Sequence, residues 1–183
     1  MIYGSISKGF RSGGINVDLF PLGGPTPGFQ PSFEPDSAWA YELGAKTAWY
    51  DNALILNGAL FYIDWSNLQI DGVPTNPSLG FTTNAGSAHS QGIEAELTAE
   101  PVDGLTFTLG GALMESELDA PAMGAPAGSR LPNTPEWMFN AAIEYTHPIL
   151  GGNYELVFRA DAAFRDNQFG NIPNVPNTTP API

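Results

Sequence analysis

The stretch GIEAELTAEP, residues 92–101, alternates residue by residue: Ile93, Ala95, Leu97 and Ala99 take one parity, and Glu94, Glu96, Thr98 and Glu100 the other. A helical repeat of about 3.6 would scatter those glutamates around an axis, whereas a strand sets them along one edge. The same period of two recurs along the chain. In 38–50, Glu42, Gly44 and Lys46 oppose Tyr41, Leu43, Ala45, Thr47 and Trp49. In 105–118, Thr106 and Thr108 oppose Leu105, Phe107, Leu109 and Leu113. In 135–147, Asn140, Glu144 and Thr146 oppose Phe139, Ala141, Ile143 and Tyr145. In 154–166, Glu155, Arg159, Asp161 and Arg165 oppose Tyr154, Leu156, Phe158, Ala160, Ala162 and Phe164. Two segments are less regular. In 53–69, Ile55, Phe61 and Ile63 share parity with Asn57; in 2–10, Lys8 is in phase with Ile2 and Ile6, which leaves the inner face of that strand open.

The prolines punctuate this pattern, because proline cannot donate to a sheet ladder and is confined to ends, edges and turns. Between their clusters the chain predicts seven strands, at 2–10, 38–50, 53–69, 85–100, 105–118, 135–147 and 154–166. Their connections alternate in length. YDNA (50–53), PVDGL (101–105) and PILGGNY (148–154) carry tight-turn signals, while long Pro/Gly/Ser/Asn-rich segments run over 11–37, 70–84, 119–134 and from 167 onward. The topology predicted is an antiparallel up-and-down meander of about seven long strands, with short turns on one rim and long loops on the other. Parity then fixes register: even opposite odd in the 135–166 hairpin, so that Glu144 shares a side with Glu155 and Arg159, and even opposite even in the 85–118 hairpin.

A soluble sandwich would also alternate, with apolar residues inward and charges outward. Strand length favours another solution, since runs of roughly 10–16 residues exceed the globular mode of about 5–6. Aromatics also collect near both strand ends: Trp49, Tyr50, Tyr145 and Tyr154 at the short-turn rim, and Trp39, Tyr62, Trp65, Trp137 and Phe164 toward the other. Long strands, aromatic girdles and one-sided short turns together describe an outer-membrane barrel, with lipid on one face and a polar lumen on the other.

Composition agrees. The 183 residues are 43% hydrophobic and 14% charged, with 21 glycines, 17 prolines and no cysteine, which excludes a disulfide framework. No apolar run approaches the ~18 residues of a membrane helix, and MIYGSISKGF lacks the features of a signal peptide. The net charge of −13 argues against a nucleic-acid partner, because phosphate binding needs a basic footprint.

Five segments, SISKGFRSGGIN (5–16), FEPDSAWAYELGAKT (33–47), LNGALFYIDWSNLQI (56–70), NAGSAHSQGIEAELTAEP (84–101) and LPNTPEWMFNAAIEY (131–145), resemble consecutive pieces of the barrel of TonB-dependent outer-membrane receptors, in the order of its later strands. The resemblance implies a segment of a transmembrane barrel of about 22 strands around an N-terminal plug. It also implies a Gram-negative outer-membrane location and uptake of a scarce ligand (siderophore-iron, cobalamin or carbohydrate), energised by the TonB complex through the plug. On that reading 1–183 is a single partial barrel domain without plug or signal peptide. Its partners are outer-membrane lipid, the TonB complex and a small-molecule or metal-chelate ligand. A passive porin shares the strand physics, and a secreted soluble β-domain shares the alternation; both stay open as alternatives.

Site chemistry is sparse. The expected lumen wall carries Glu42, Lys46, Glu94, Glu96, Glu144, Glu155, Arg159, Asp161 and Arg165. Glu94 and Glu96 would stand about 6.6–6.8 Å apart on one strand face, within the spacing of paired glycosidase carboxylates, but Thr98 and Glu100 continue the same polar stripe. His89 and His147 fall at opposite strand ends. The Gly-Gly pairs at 13, 23, 110 and 151 match neither a phosphate loop nor a dinucleotide fingerprint. No catalytic set, cofactor site or metal site is expected, and the chain does not read as an enzyme.

Overall fold

The computed structural model describes residues 1–16, 30–72, 81–170 and 172. Seven long strands form one antiparallel sheet: β1 (Ile2–Arg11), β4 (Asp36–Trp49), β5 (Leu54–Ser66), β8 (Ala88–Val102), β9 (Leu105–Leu118), β10 (Trp137–Ile149) and β11 (Tyr154–Arg165). They pair in chain order, each with its sequence neighbour. Among the described residues no helix is long and apolar enough to cross a membrane, which leaves open a crossing by strands.

Four short strands were not anticipated. β2 (Gly14–Ile15) pairs β3 (Ser32–Phe33), and β6 (Gln69–Gly72) pairs β7 (Phe81–Asn84). They continue the β1–β4 and β5–β8 hairpins beyond a break, inside segments whose proline content reads as loop. The first break is built around Gly13, where a Cβ would lie 2.5 Å from the Phe33 carbonyl oxygen. The second turns on Asn67 (φ 61°) and Gly86 (φ 80°), with Leu68 N–H donating to the Gly86 carbonyl at 2.7 Å. Asparagine side chains then join the two extensions. Asn16 donates to the Thr82 carbonyl and accepts from the Thr82 N–H, at 2.7 and 3.0 Å, so its amide stands in for a strand partner.

Two prolines placed in turns by sequence lie inside strands. Pro101 follows Ala99, the last β8 residue paired with β5, and Pro148 follows Tyr145, the last β10 residue paired with β9. Pro148 occupies a stretch paired on the β11 side only, and Pro101 falls in the β-bulge between Ala99 and Val102, both positions where a missing N–H costs no ladder bond. The Gly-Gly pairs resolve into a break (13–14), close packing (110–111) and a turn (151–152); 23–24 lies outside the described residues.

The registers settle every face. Glu144 pairs Arg159, Glu96 pairs Gly110 and Thr98 pairs Thr108, as parity required. Ser5 pairs Glu42, so the odd residues of β1 join the polar face and Lys8 points to the apolar one, over the Trp39 ring at 5.2 Å. In β5 the polar face receives Asn57 together with Ile55, Phe61 and Ile63. Trp65 is a correction: it pairs Ala38 and Ala88 on the polar-face parity and packs under the loops, so it takes no part in the aromatic girdle.

The buried apolar residues, Leu68, Ala85, Ala88, Leu118, Ala125, Leu131 and Ile172, all gather at the long-loop rim. Below them the apolar face is open, with Leu43, Leu60, Leu113, Phe158 and Phe164 all more than half exposed. A sheet with its large side chains turned outward requires an apolar surrounding.

Candidate functional site

Strand pairing brings the sequence-predicted wall residues onto one face. Glu42 and Lys46 stand on β4, Glu94 and Glu96 on β8, Glu144 on β10, and Glu155, Arg159, Asp161 and Arg165 on β11. Two groups form within this face. Tyr3 donates its hydroxyl to Glu42 at 2.5 Å, and the Lys46 ammonium lies 5.6 Å from the Tyr3 ring. Arg159 reaches Glu144 at 3.2 Å and Asp161 at 3.4 Å. Glu94, Glu96, Glu155 and Arg165 belong to neither group. Sequence reasoning did not single out Tyr3, because the inner face of β1 could be assigned only through the Ser5–Glu42 pairing.

The long-loop rim carries a second polar network, also missed from sequence. Arg11 ends β1 and Asp36 opens β4; Arg11 Nε lies 3.0–3.1 Å from both Asp36 carboxylate oxygens, and Arg11 Nη2 contacts Oδ2 as well. Arg11 Nη2 also donates to the Gln69 carbonyl at 3.0 Å, and Gln69 N–H donates to Asp36 at 3.0 Å. Gln69 Nε2 reaches the Ser12 and Glu34 carbonyls at 3.1 and 2.8 Å. Three hairpin segments are thereby fastened at one point. Asp36 is only 4% exposed and lies outside the Trp39 girdle, beyond the membrane-spanning part of β4. Burial opposes its ionisation, but the Arg11 guanidinium and the Gln69 N–H outweigh burial and hold the carboxyl below its ordinary pKa. A signal existed in the sequence: SKGFRSGG ends a strand on arginine and FEPDSAW begins one on aspartate.

Beside this clasp lies a cavity of about 320 Å³ lined by Arg11, Phe33, Gln69, Ile70, Thr82, Pro132, Asn133 and Gly170. Its walls come from the three long-rim connections between long strands and from the segment that follows β11. Amide, hydroxyl and guanidinium groups mixed with a ring and a proline suit a polar ligand of moderate size. His89 contacts Asp119 at 2.7 Å at the loop rim, while His147 sits near the short-turn end of β10, and no group of ligating side chains suited to a metal occurs among the described residues.

The model of the family described as TonB dependent receptor-like, beta-barrel, matches residues 1–182. The chain belongs to the TonB-dependent receptor barrel family. Over 151 residues it is 25% identical to "Probable TonB-dependent siderophore receptor PiuA" of Acinetobacter baumannii, covering 77% of this chain and 19% of that protein. Among solved structures, the ferric yersiniabactin uptake receptor FyuA of Yersinia pestis superposes with a TM-score of 0.73 at 20% identity, over 94% of this chain and 24% of FyuA. The ferric preacinetobactin receptor BauA of Acinetobacter baumannii gives 0.65 at 18% identity, with the same coverages. The chain thus spans about a fifth to a quarter of the length of these receptors. Receptor barrels of this family reside in the Gram-negative outer membrane.

Proposed function

We propose that this chain forms part of the wall and outer rim of a receptor that takes up siderophore-bound iron with energy from the TonB complex, and that residues 1–183 make one partial barrel domain. The observation that carries the reading is the shared register, in which all nine predicted wall charges fall on one face of a seven-stranded receptor-barrel sheet while large apolar residues fill the other. Names of relatives add the ligand class: PiuA is called a siderophore receptor, and FyuA and BauA are named for ferric chelates. On this reading the wall charges and the rim cavity at Arg11, Thr82 and Asn133 contact the passing ligand, and TonB acts through a plug held by the intact barrel.

No covalent chemistry is assigned to the chain. Glu94 and Glu96 belong to a continuous polar stripe, and the Tyr3 hydroxyl beside Glu42 is an exposed wall contact with no third group orienting it among the described residues. The test is uptake of a labelled ferric siderophore by cells carrying the intact parent receptor. Loss of uptake when TonB or the inner-membrane proton gradient is removed is the expected result. Uptake at full rate without TonB would overturn it in favour of a passive porin.

A further inference from the structure

The pairings of the long sheet close in two ways. β4–β5, β8–β9 and β10–β11 are joined by tight turns, while β1–β4, β5–β8 and β9–β10 are joined by the long connections of the opposite rim. A tight turn fixes register by its own length and type. A long connection does not, and alternation helps only halfway. A slip of one residue reverses the faces, but a slip of two keeps every charge on the polar side.

The strand glycines divide along the same line. Gly44 lies directly opposite Tyr3, Gly92 opposite Phe61 and Gly110 opposite Asn140, one such pair in each long-connection pairing and all on the polar face. In each pair the larger side chain fills the space the glycine leaves. A Cβ on Gly44 would overlap the Tyr3 ring, one on Gly92 would lie 2.8 Å from Phe61 Cζ, and one on Gly110 would lie 2.7 Å from Asn140 Oδ1. Gly14 and Phe33 repeat the arrangement in the β2–β3 extension, at 2.7 Å. At no described strand glycine does the nearest side-chain atom come from the partner across a tight turn.

A slip of two residues would set Tyr3 against Glu42 or Lys46, Phe61 against Ser90 or Glu94, and Asn140 against Thr108 or Ala112. Every one of those partners carries a Cβ where the glycine has none. We propose that the three glycine pairs are register keys, which select the native pairing over its two-residue slips wherever no tight turn does so. The keys act as the sheet closes, and they are independent of what the receptor transports.

The test is made in the intact parent receptor, with cysteine pairs read as disulfides in the outer-membrane fraction. Directly opposed residues can be bridged, while residues displaced by two stand about 7–8 Å apart and cannot. Phe61 is the informative position, because β5 meets β4 through a tight turn and β8 through a long connection. In F61A, bonding of L56C to the slipped partners A95C or A99C should rise roughly fivefold over the Phe61 background, and bonding to the native partner L97C should fall. The L43C/L60C bond on the β4 side should stay complete. Y3A should slip β1 against β4, read by I2C with L43C or T47C in place of A45C. Y3F keeps the ring without the hydroxyl and should hold the native register, and the swap Y3G/G44Y should restore it. Native bonds alone in either F61A or Y3A would overturn the proposal, as would equal slippage on the β4 side of F61A. A swap that pairs no better than Y3A would overturn it too, and that comparison decides the matter if F61A yields no assembled barrel.

Discussion

Glu144 and Arg159 stand directly opposite each other across the β10–β11 ladder, and the guanidinium that reaches Glu144 also contacts Asp161, two residues along its own strand. One cation thus serves two carboxylates on a face otherwise rich in acid. All three side chains are well exposed, so water and salt screen them and their pairing adds little to stability. Arg159→Gln should leave the unfolding midpoint of the intact barrel nearly unchanged. Its effect belongs to transport: removing the cation makes the wall more acidic, and uptake of an anionic chelate should slow. A large stability loss with normal uptake would contradict this assignment.

The Arg11–Asp36 contact should behave in the opposite way. Asp36 is buried, and Asp36→Ala strips the guanidinium and the Gln69 N–H of their acceptor. Breaking a buried ion pair costs about 3–5 kcal/mol; the exposed side of Arg11 puts this one near the lower end, roughly 3 kcal/mol. The loss should concentrate at the rim and be read as faster proteolysis of the loops in the assembled barrel.

The same carboxylate makes the rim sensitive to acid. Its pKa is lower in the folded protein than the ordinary value of 3.8, so the native state binds fewer protons than the unfolded state and stability falls as pH drops. The contribution is complete above the ordinary carboxylate pKa and is lost as pH falls through the lower, folded value. Loop protection should therefore be constant near neutrality and decline only in strong acid. Asp36→Asn should flatten that decline.

Leu97 and Glu96 are adjacent in β8 and face different solvents. Leu97→Arg puts a cation toward hydrocarbon and should cost about 2–4 kcal/mol if it lies at the membrane midplane. Glu96→Gln, on the interior side, should cost far less. Guanidinium unfolding of the intact receptor in lipid vesicles measures both. Similar losses would mean the faces are reversed.

Gly104 sets the β8–β9 turn with φ +78°, and a Cβ there would lie 2.3 Å from the Thr146 carbonyl oxygen of β10. Gly104→Ala adds strain and a backbone clash together, and it displaces a carbonyl that accepts from the Thr146 N–H at 2.7 Å. A loss of about 1–3 kcal/mol and a reduced yield of assembled barrel are expected.

What the sequence made legible follows from period two. Alternation in β8, β9, β10 and β11 dictated both faces, because a slip of one residue would turn Glu96, Glu144 and Arg159 into lipid. β1 and β5 resisted the same reading. Lys8 is a cation on the apolar face, set over the Trp39 ring, and Ile55, Phe61 and Ile63 are apolar residues on the polar face. Neither assignment is available until a neighbour fixes the register. The rim was hidden for a different reason. Its order comes from the Arg11–Asp36–Gln69 clasp and from the Asn16, Asn67 and Asn84 amides, contacts between residues up to 66 positions apart of which only the strand-end arginine and strand-start aspartate left a trace in the sequence.

In this sheet spatial order and chain order are the same. Each inner long strand therefore depends on two neighbours that are also its neighbours in the gene, and β1 and β11 each depend on one. A hairpin inserted or deleted as a unit would leave every remaining pairing with its partner and register intact. Such a wall can widen, narrow or exchange one rim loop for another through single local events. The module that evolution handles here is the hairpin, and the barrel is a tally of such modules.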